Sequence, residues 1–213
     1  MNTKEQSAGI TTLFLDIGGV LLTNGWGGES RKLAAERFHL DAQEMEARHR
    51  MAFDTYEMGK MSFDEYLGLT VFYEQRAFSA DDFKAFILQQ SEELPGHIDF
   101  FKALKKEHGL KIIAVSNEGR ELNEYRIREF RLDTLFDAYI SSCYVQLHKP
   151  DKQMLQMACD ISHTRKDQAL YIDDQQVLVD VAASFGVQAH RFVHLESTRK
   201  YLDTCTFNNR AKK

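Results

Sequence analysis

The sequence predicts an α/β protein in which a parallel sheet carries one all-helical insertion. From residue 95 to residue 192, short apolar runs alternate with helical patterns, as they do in parallel sheets with right-handed crossovers. From residue 31 to residue 90 the pattern is helical and charged, without a convincing strand. The chain has 213 residues, which is enough for one core of ordinary size and a smaller insertion.

The first strand is predicted within the apolar run from Leu13 to Leu22, which contains one carboxylate, Asp16. A continuous apolar run this short is typical of a strand that is buried on both faces of a parallel sheet. Burying a carboxylate costs free energy unless a partner or a chemical role compensates for it. Taken alone, Asp16 fits a turn-capping residue as well as it fits a functional one.

A glycine-rich loop at residues 23–30 connects this strand to the insertion, and Ser30 is expected to cap the first helix. The loop is either a flexible turn or a flap beside a site, in which Trp26 would close over a ligand. Further along, Ser62 and Glu65 have the spacing of a capping box. About four short helices are expected in the insertion.

The last of these helices is expected to begin at Asp81, as its cap, and to place Phe83 and Phe86 in the core of the insertion. Four further strands are predicted after it, at residues 110–115, 138–141, 169–172 and 188–192. Helices are predicted around them, at residues 98–108, 122–130, 152–160 and 177–185. The last strand is expected at an edge of the sheet, with one or two helical turns after residue 196.

Polar residues follow three of the predicted strands directly. They are Asp16, the pair Ser116-Asn117 and the pair Asp173-Asp174. Ligands of an open parallel sheet bind outside the carboxyl ends of the strands, so these side chains are expected to lie in one crevice. Lys149 lies in a loop before a helix and could reach the same edge.

Three carboxylates in one crevice repel each other unless a hard cation lies among them. Mg²⁺ binds carboxylates, water and substrate phosphates, so the sequence predicts a magnesium site. A carboxylate beside that cation can attack phosphorus and form an aspartyl-phosphate, which water then hydrolyses. Ser116 and Asn117 suit the phosphoryl oxygens, and Lys149 would neutralise charge on the nucleophile and the phosphate.

The ordered motifs resemble those of the haloacid dehalogenase-like hydrolase superfamily over nearly the whole chain. The motifs are Leu15-Asp16-Ile17-Gly18-Gly19-Val20, Val115-Ser116-Asn117, Lys149-Pro150 and Tyr171-Ile172-Asp173-Asp174. The insertion resembles the small helical (C1-type) cap of this superfamily, with residues 56–62 similar to the cap's helix-turn-helix stretch. The resemblance implies a Rossmann-like hydrolase core at residues 1–22 and 94–213 and a helical cap at residues 23–93.

The resemblance also implies roles for the motif residues. Asp16 would be the nucleophile and a Mg²⁺ ligand, and Gly18 would offer its backbone carbonyl to the metal. Asp174 would be a direct ligand, and Asp173 a second or a water-mediated one. The residues implied to hold the phosphoryl group are Ser116, Asn117 and Lys149. If the cap closes over the crevice, cap residues select the substrate, and the candidates are Trp26, Arg31 and Tyr56.

Gly18 stands where most phosphatases of the superfamily carry a second aspartate, which protonates the leaving oxygen and then activates water. General acid–base catalysis is typically worth about 10²–10⁴-fold in rate. The substrate could have a good leaving group or supply its own proton, as the resemblance to an Asp-x-Gly branch of sugar-phosphate phosphatases implies. Another residue could transfer the proton instead, with His49, Glu57 and Glu118 as candidates by type. The chain could also keep the fold and the metal site with little activity.

The dehalogenase branch also lacks this aspartate, but it works without metal and does not need the full acidic pair, so Asp173-Asp174 favours phosphoryl chemistry. The prediction is a Mg²⁺-dependent phosphatase of a small phosphorylated metabolite, for instance a sugar phosphate. The alternative from another class is a catalytically weak binding or regulatory protein. Metal-dependent turnover of an activated aryl phosphate, lost in Asp16→Asn, would separate the two.

The composition bears on partners and location. The net charge is −5 without a basic block, which argues against nucleic acid as the main partner. Three cysteines, few and without metal-binding spacing, fit a reducing compartment. No run approaches the roughly 18–20 apolar residues of a membrane span. We therefore expect a cytoplasmic protein without a membrane partner, and the sequence indicates neither the substrate nor the oligomeric state.

Overall fold

The computed structural model describes residues 9–208. Within this range, five strands form one parallel sheet in the order β3-β2-β1-β4-β5. The strands are β1 Thr12–Leu15, β2 Lys111–Ser116, β3 Ala138–Ser141, β4 Ala169–Asp173 and β5 Gln188–Arg191. The predicted α/β fold, a Rossmann-like sheet with an all-helical insertion, is confirmed, and β5 lies at an edge as the sequence predicts.

The helices of the insertion are α1 Gly28–Arg37, α2 Ala42–Glu57, α3 Phe63–Thr70 and α4 Ala80–Gln89. The later helices are α5 His97–His108, α6 Arg120–Glu129, α7 Ser142–Val145, α8 Lys152–Ser162, α9 Gln176–Phe185 and α10 Leu195–Leu202. Short 3₁₀ turns lie at Leu132–Thr134 and Lys166–Gln168. None of the helices in the described range is long and apolar enough to cross a bilayer.

The central strand, β1, is buried along its whole length. It pairs in parallel with β2 on one side and with β4 on the other, so that Leu15 lies opposite both Ala114 and Ile172. The carboxyl ends of these three strands are therefore neighbours. The polar residues that follow them meet at one edge of the sheet, as the sequence predicts.

Helices cover both faces of the sheet, which explains why its central strands are almost wholly apolar. Successive side chains of a strand point to opposite faces. Leu13 and Leu15 accordingly share a buried cluster with Phe101 of α5. Phe14 belongs to the cluster on the other face, with Met154 of α8.

The insertion has a hydrophobic cluster of its own, rich in aromatic rings. Phe83 and Phe86 belong to it, as the sequence predicts, and Leu122 of α6 joins it from the sheet side. The two connections to the sheet run side by side, because Leu22 and Glu93 form an isolated bridge. This placement supports our proposal that the cap spans residues 23–93.

Helix starts within the insertion differ in part from expectation. Ser62 and Glu65 form the predicted capping box. The first helix begins at Gly28, so Ser30 lies inside its first turn instead of capping it. The last helix is capped by Ser79, which forms a capping box with Asp82. Ser79 with Asp82 satisfies two backbone N–H groups reciprocally, and this places the expected cap, Asp81, inside the first turn.

The predicted first strand is also shorter than the apolar run that contains it. After Leu15 the chain leaves the sheet, and both Leu21 and Leu22 donate backbone hydrogen bonds to the carbonyl of Ile17. The apolar residues of this turn are buried although they are not in a strand. Apolar runs of this kind report burial more directly than they report the length of a strand.

Candidate active site

Asp16 follows β1 directly and is almost completely buried, with 5% of its surface exposed. Its Oδ1 accepts a hydrogen bond from the backbone N–H of Ile17 at 2.8 Å, and its Oδ2 lies 3.0 Å from Nζ of Lys149. Burial raises the pKa of Asp16 to about 7, while Lys149 acts against this shift and the charge of Asp173 adds to it. The ionised carboxylate is therefore held at a cost in free energy.

Lys149 is buried between two carboxylates, with its Nζ also 2.8 Å from Oδ2 of Asp173. Burial alone would lower the pKa of Lys149, but Asp16 and Asp173 hold it well above its ordinary value. Asp173 also accepts hydrogen bonds from the Tyr171 hydroxyl at 2.5 Å and from the backbone N–H of Gln175 at 2.8 Å. Both oxygens of Asp173 are thus already engaged by the protein.

An acidic cluster is formed by Asp16, Asp173 and Asp174, whose ligand atoms lie within 4.8 Å of one another. Oδ1 of Asp174 is buried and has no hydrogen-bond partner among the described residues. Burial and the neighbouring charge of Asp173 raise the pKa of Asp174. Gly19 has φ +71°, and a side chain there would collide with the Asp174 carboxylate. A hard divalent cation such as Mg²⁺ would satisfy the unpartnered oxygen, so these residues fit that metal.

Asn117 joins the end of β2 to the loop that carries Lys149. Its Oδ1 accepts the backbone N–H of Lys149 at 2.8 Å, and its Nδ2 donates to the carbonyl of Lys149 at 3.2 Å. The preceding residue, Ser116, is buried, and its hydroxyl lowers the pKa of Asp16 against the effect of burial. The three residues predicted to hold a phosphoryl group are thus brought together beside Asp16.

A cavity of about 470 Å³ lies between this edge of the sheet and the insertion. The predicted site residues that line it are Asp16, Gly18, Trp26, Arg31, Tyr56, Ser116, Asn117 and Lys149. The acidic cluster brings Asp173 and Asp174 next to Asp16 at its edge. The volume is in the range of small-molecule pockets.

The three cap residues predicted to contact substrate use their polar groups within the protein. Trp26 is buried and its Nε1 donates to the hydroxyl of Tyr66 at 2.8 Å. Arg31 pairs with Glu46 and donates to the carbonyl of Trp26 at 2.9 Å. The hydroxyl of Tyr56 donates to Glu121 of α6 at 3.2 Å. Trp26 therefore belongs to the packed insertion instead of a free flap, and substrate contact by these residues stays a prediction.

A family model described as haloacid dehalogenase-like hydrolase matches residues 10–186 of the chain. The chain belongs to this family. A curated relative, "Putative pyrophosphatase PpaX" of Caldanaerobacter subterraneus subsp. tengcongensis, is 29% identical over 84 residues. That match spans 39% of this chain and only 38% of the relative.

Solved structures of the haloacid dehalogenase-like family share the fold. An enzyme of the family from Bacteroides thetaiotaomicron, solved with magnesium and inorganic phosphate, superposes with a TM-score of 0.72 at 17% identity, over 86% of this chain and 94% of that one. A family hydrolase from Porphyromonas gingivalis gives a TM-score of 0.72 at 18% identity, over 92% and 98%. At these identities the likeness shows the fold alone.

The structure separates the three candidates that could replace the family's second aspartate. His49 lies inside the insertion, 2.7 Å from the Tyr66 hydroxyl, and burial lowers its pKa to about 4. Glu118 lines the cavity but is buried in an ion pair with Arg126; burial raises the pKa of Glu118, and Arg126 acts against this. Glu57 lines the cavity and is partly exposed. Glu57 is therefore the candidate that remains available to a substrate.

Sequence reasoning missed Arg126, which is fully buried in α6 beneath the cavity. It pairs with Glu118, donates to Oγ of Ser91 at 3.0 Å and donates to the carbonyl of Thr23 at 2.9 Å. Arg126 thereby ties α6 to both ends of the insertion. One signal was present in the sequence, because Arg126 is four residues after the apolar Leu122 and so lies on the same face of the helix.

Proposed function

We propose that this hydrolase is a Mg²⁺-dependent phosphatase that acts on a small phosphorylated metabolite through an aspartyl-phosphate intermediate. The observation that carries the proposal is the acidic cluster beside Asp16, with an unpartnered buried oxygen on Asp174 and Lys149 between Asp16 and Asp173. A nucleophilic carboxylate next to a cation site is the arrangement that phosphoryl transfer requires.

The proposed metal ligands are Asp16, Asp174 and the backbone carbonyl of Gly18, with Asp173 binding directly or through water. When bound, Mg²⁺ would neutralise charge on the phosphoryl oxygens and on the carboxylates. Asp173 is the weaker direct ligand of the two neighbouring aspartates, because its oxygens already accept hydrogen bonds from Lys149, Tyr171 and Gln175.

The chain's own residues would perform the two chemical steps. Oδ of Asp16 attacks phosphorus, and the bond between phosphorus and the leaving oxygen breaks. Ser116 and Asn117 would orient the phosphoryl oxygens, and Lys149 would balance the charge on Asp16 and the phosphate. Water then cleaves the aspartyl-phosphate, which releases inorganic phosphate and restores Asp16.

The relatives support this proposal over dehalogenation. The Bacteroides thetaiotaomicron enzyme was solved with magnesium and inorganic phosphate, and the curated relative is named a pyrophosphatase. An L-2-haloacid dehalogenase also shares the fold, with a TM-score of 0.65 at 15% identity. The acidic pair Asp173-Asp174 favours the metal-dependent reaction. A sugar phosphate is a proposed substrate, and a cytoplasmic location stays a prediction from the cysteine content.

The test is hydrolysis of an aryl phosphate and of a panel of phosphorylated metabolites by the purified protein. We expect turnover with Mg²⁺, none after chelation, and none in Asp16→Asn. The matched control is Asp81→Asn, an exposed aspartate in α4, which should keep wild-type turnover. Absence of Mg²⁺-dependent turnover over the whole panel would support the alternative, a binding or regulatory protein. Metal-independent release of halide from a 2-haloacid would support a dehalogenase.

A further inference from the structure

The Glu57 side chain reaches from the insertion to the loop that carries Lys149. Glu57 is the last residue of α2, and its Oε2 lies 2.5 Å from Nε2 of His148. Its backbone carbonyl also accepts a hydrogen bond from Oγ of Ser142 at 2.7 Å, so the end of the helix is anchored at two points. The side chains of Glu57 and His148 are 13% and 29% exposed, and both line the cavity. A proton held between them is accessible to a molecule in that cavity.

Two groups act in opposite directions on a proton at Nε2 of His148. Glu57 raises the pKa of His148 through its hydrogen bond, against the effect of burial. Nδ2 of Asn117 lies 2.9 Å from the same nitrogen, and the orientation of this amide is fixed because its Oδ1 accepts the N–H of Lys149. An amide N–H that faces Nε2 disfavours a proton on that nitrogen. Oε2 of Glu57 and Nε2 of His148 therefore share one proton, which Glu57 can pass to a molecule in the cavity.

The pair is next to the residues proposed to handle the phosphoryl group. His148 directly precedes Lys149, whose Nζ lies 3.0 Å from Oδ2 of Asp16. Asn117, which contacts His148, directly follows Ser116. A carboxyl group supplied by α2 thus faces the same cavity as the nucleophile, from the side of the insertion.

We propose that Glu57 is the general acid and base of the hydrolysis, in the role that Gly18 cannot fill; this inference rests on the phosphatase function proposed above. As Asp16 bonds to phosphorus, the ester P–O bond breaks, and the leaving oxygen takes from Glu57 the proton that Glu57 shares with His148. Water then attacks the aspartyl-phosphate, its proton passes to Glu57, and the bond between phosphorus and Asp16 breaks. His148 is a positioning residue, because it acts through the proton that it shares with Glu57, and Asn117, proposed above to orient the phosphoryl oxygens, also holds the His148 ring in place.

The test compares Glu57→Gln with the wild type on an alkyl phosphate and on 4-nitrophenyl phosphate, at saturating Mg²⁺. For the alkyl phosphate, kcat should fall about 10²–10⁴-fold, the usual contribution of a general acid–base group. The first release of nitrophenolate should change less than about tenfold, since this leaving group departs without a proton. The phosphorylated protein should then accumulate, visible by mass spectrometry, because water lacks its base. Glu44→Gln, a partly exposed glutamate in the first turn of the same helix, is the matched control and should match the wild type.

A second readout does not depend on turnover. NMR titration of the His148 ring should show a raised pKa in the wild type and a lower one in Glu57→Gln. Other charged groups also act on this part of the cavity: Asp54 raises the pKa of His148, and Glu57, Lys149 and Arg126 surround Glu118. The difference in the His148 pKa between the wild type and Glu57→Gln isolates the effect of Glu57. Unchanged titration would mean that the pair does not form in solution, which would overturn the proposal.

Three kinetic outcomes discriminate further. An equal fall in kcat/KM for both substrates, caused mainly by a higher KM, would mean that Glu57 only holds the insertion against the sheet. That result would overturn a role in proton transfer. Wild-type kcat in Glu57→Gln would overturn that role as well and leave the phosphatase function intact. A wild-type protein without Mg²⁺-dependent turnover of either ester would overturn the phosphatase function itself.

Discussion

The side-chain oxygen of Asn24 lies 2.9 Å from the position that a Cβ on Gly18 would occupy. Nη1 of Arg126 lies 3.9 Å from the same position. An amide and a guanidinium thus bound the space in which the family's phosphatases place their second aspartate, and neither group transfers protons near neutral pH. This chain therefore has no proton-transferring side chain at residue 18, and the two side chains that border the position do not supply one either.

Gly18→Asp tests this space. Asn24 is exposed and its side-chain end can rotate away, so we expect a folded protein with an unchanged melting temperature. In a Glu57→Gln background, the added carboxyl should recover about tenfold in kcat on an alkyl phosphate. This is less than the 10²–10⁴-fold of a full general acid–base group, because Arg126 favours the ionised form of the added carboxyl. Steady-state kinetics of the two single variants and the double variant measure this. No recovery in a folded double variant would show that a carboxyl at this position cannot reach the leaving oxygen.

Lys149→Met removes the cation between two buried carboxylates. Breaking a buried ion pair by removing one partner typically costs about 3–5 kcal/mol, since the remaining charge is left uncompensated. We expect the free energy of unfolding to fall by about that amount in chelator, with turnover lost. Mg²⁺ should raise the melting temperature of this variant more than that of the wild type, since the metal then supplies the missing positive charge.

Lys152→Met, an exposed position at the start of α8, is the control for lysine removal and should unfold like the wild type. Equal stabilisation of Lys149→Met and wild type by Mg²⁺ would contradict the idea that the metal and Lys149 act on the same carboxylates. Thermal and denaturant unfolding with and without Mg²⁺ provide both measurements.

Asp16 should make the stability of the metal-free protein depend on pH. Burial raises the pKa of Asp16 to about 7, above the ordinary value near 3.8, so the folded state binds the extra proton between these values. Its contribution to the free energy of unfolding is therefore full below about pH 4, falls as pH rises and is lost above about pH 7. Asp16→Asn, which cannot ionise, should gain about 4 kcal/mol relative to wild type from pH 4 to pH 8.

Unfolding of both proteins over this pH range, in chelator, measures the difference. Asp81→Asn, whose carboxylate is exposed, should show no comparable change across the range. A constant difference between Asp16→Asn and wild type would show that the carboxyl of Asp16 titrates alike in the folded and unfolded states.

Gly59→Ala tests how the end of α2 is held against the sheet side. Gly59 has φ +66°, and a Cβ there would collide with the backbone carbonyl of Cys143. We expect a loss of about 1–3 kcal/mol, from the strained backbone and the displaced contact. Turnover should fall as well, because Glu57 lies two residues away and moves with the helix end.

Gly68→Ala is the matched control. Gly68 lies within α3 and has no atom near the position of its Cβ, so alanine there should stabilise the protein by about 0.5–1 kcal/mol through helix propensity. Its turnover should equal that of wild type. Stability and kcat measured side by side separate the two glycines, and wild-type behaviour of Gly59→Ala would contradict the proposed anchoring.

Much of the fold could be predicted from the sequence by itself. The strands at Ala138–Ser141 and Ala169–Asp173 are short buried runs bounded by turns, and local pattern is enough to find them. The meeting of Asp16 with Ser116 and Asp173 at one edge also follows from the sequence, because parallel strands place their carboxyl ends together. Helix starts could not be predicted as well, since Ser79 and Asp81 are both residue types that cap helices. In the folded chain Ser79 is the cap of α4.

Only the tertiary structure decided which of the candidate acid–base side chains remains available for proton transfer. Glu57, His49 and Glu118 could each transfer a proton by residue type. In the structure, His49 is enclosed in the insertion, Glu118 is buried in its ion pair with Arg126, and Glu57 is partly exposed to the cavity. The contact of Glu57 with His148 joins residues 91 positions apart, and it depends on how the end of α2 docks on the sheet side. Local periodicity carries no information on such docking, because the packing of distant elements fixes it.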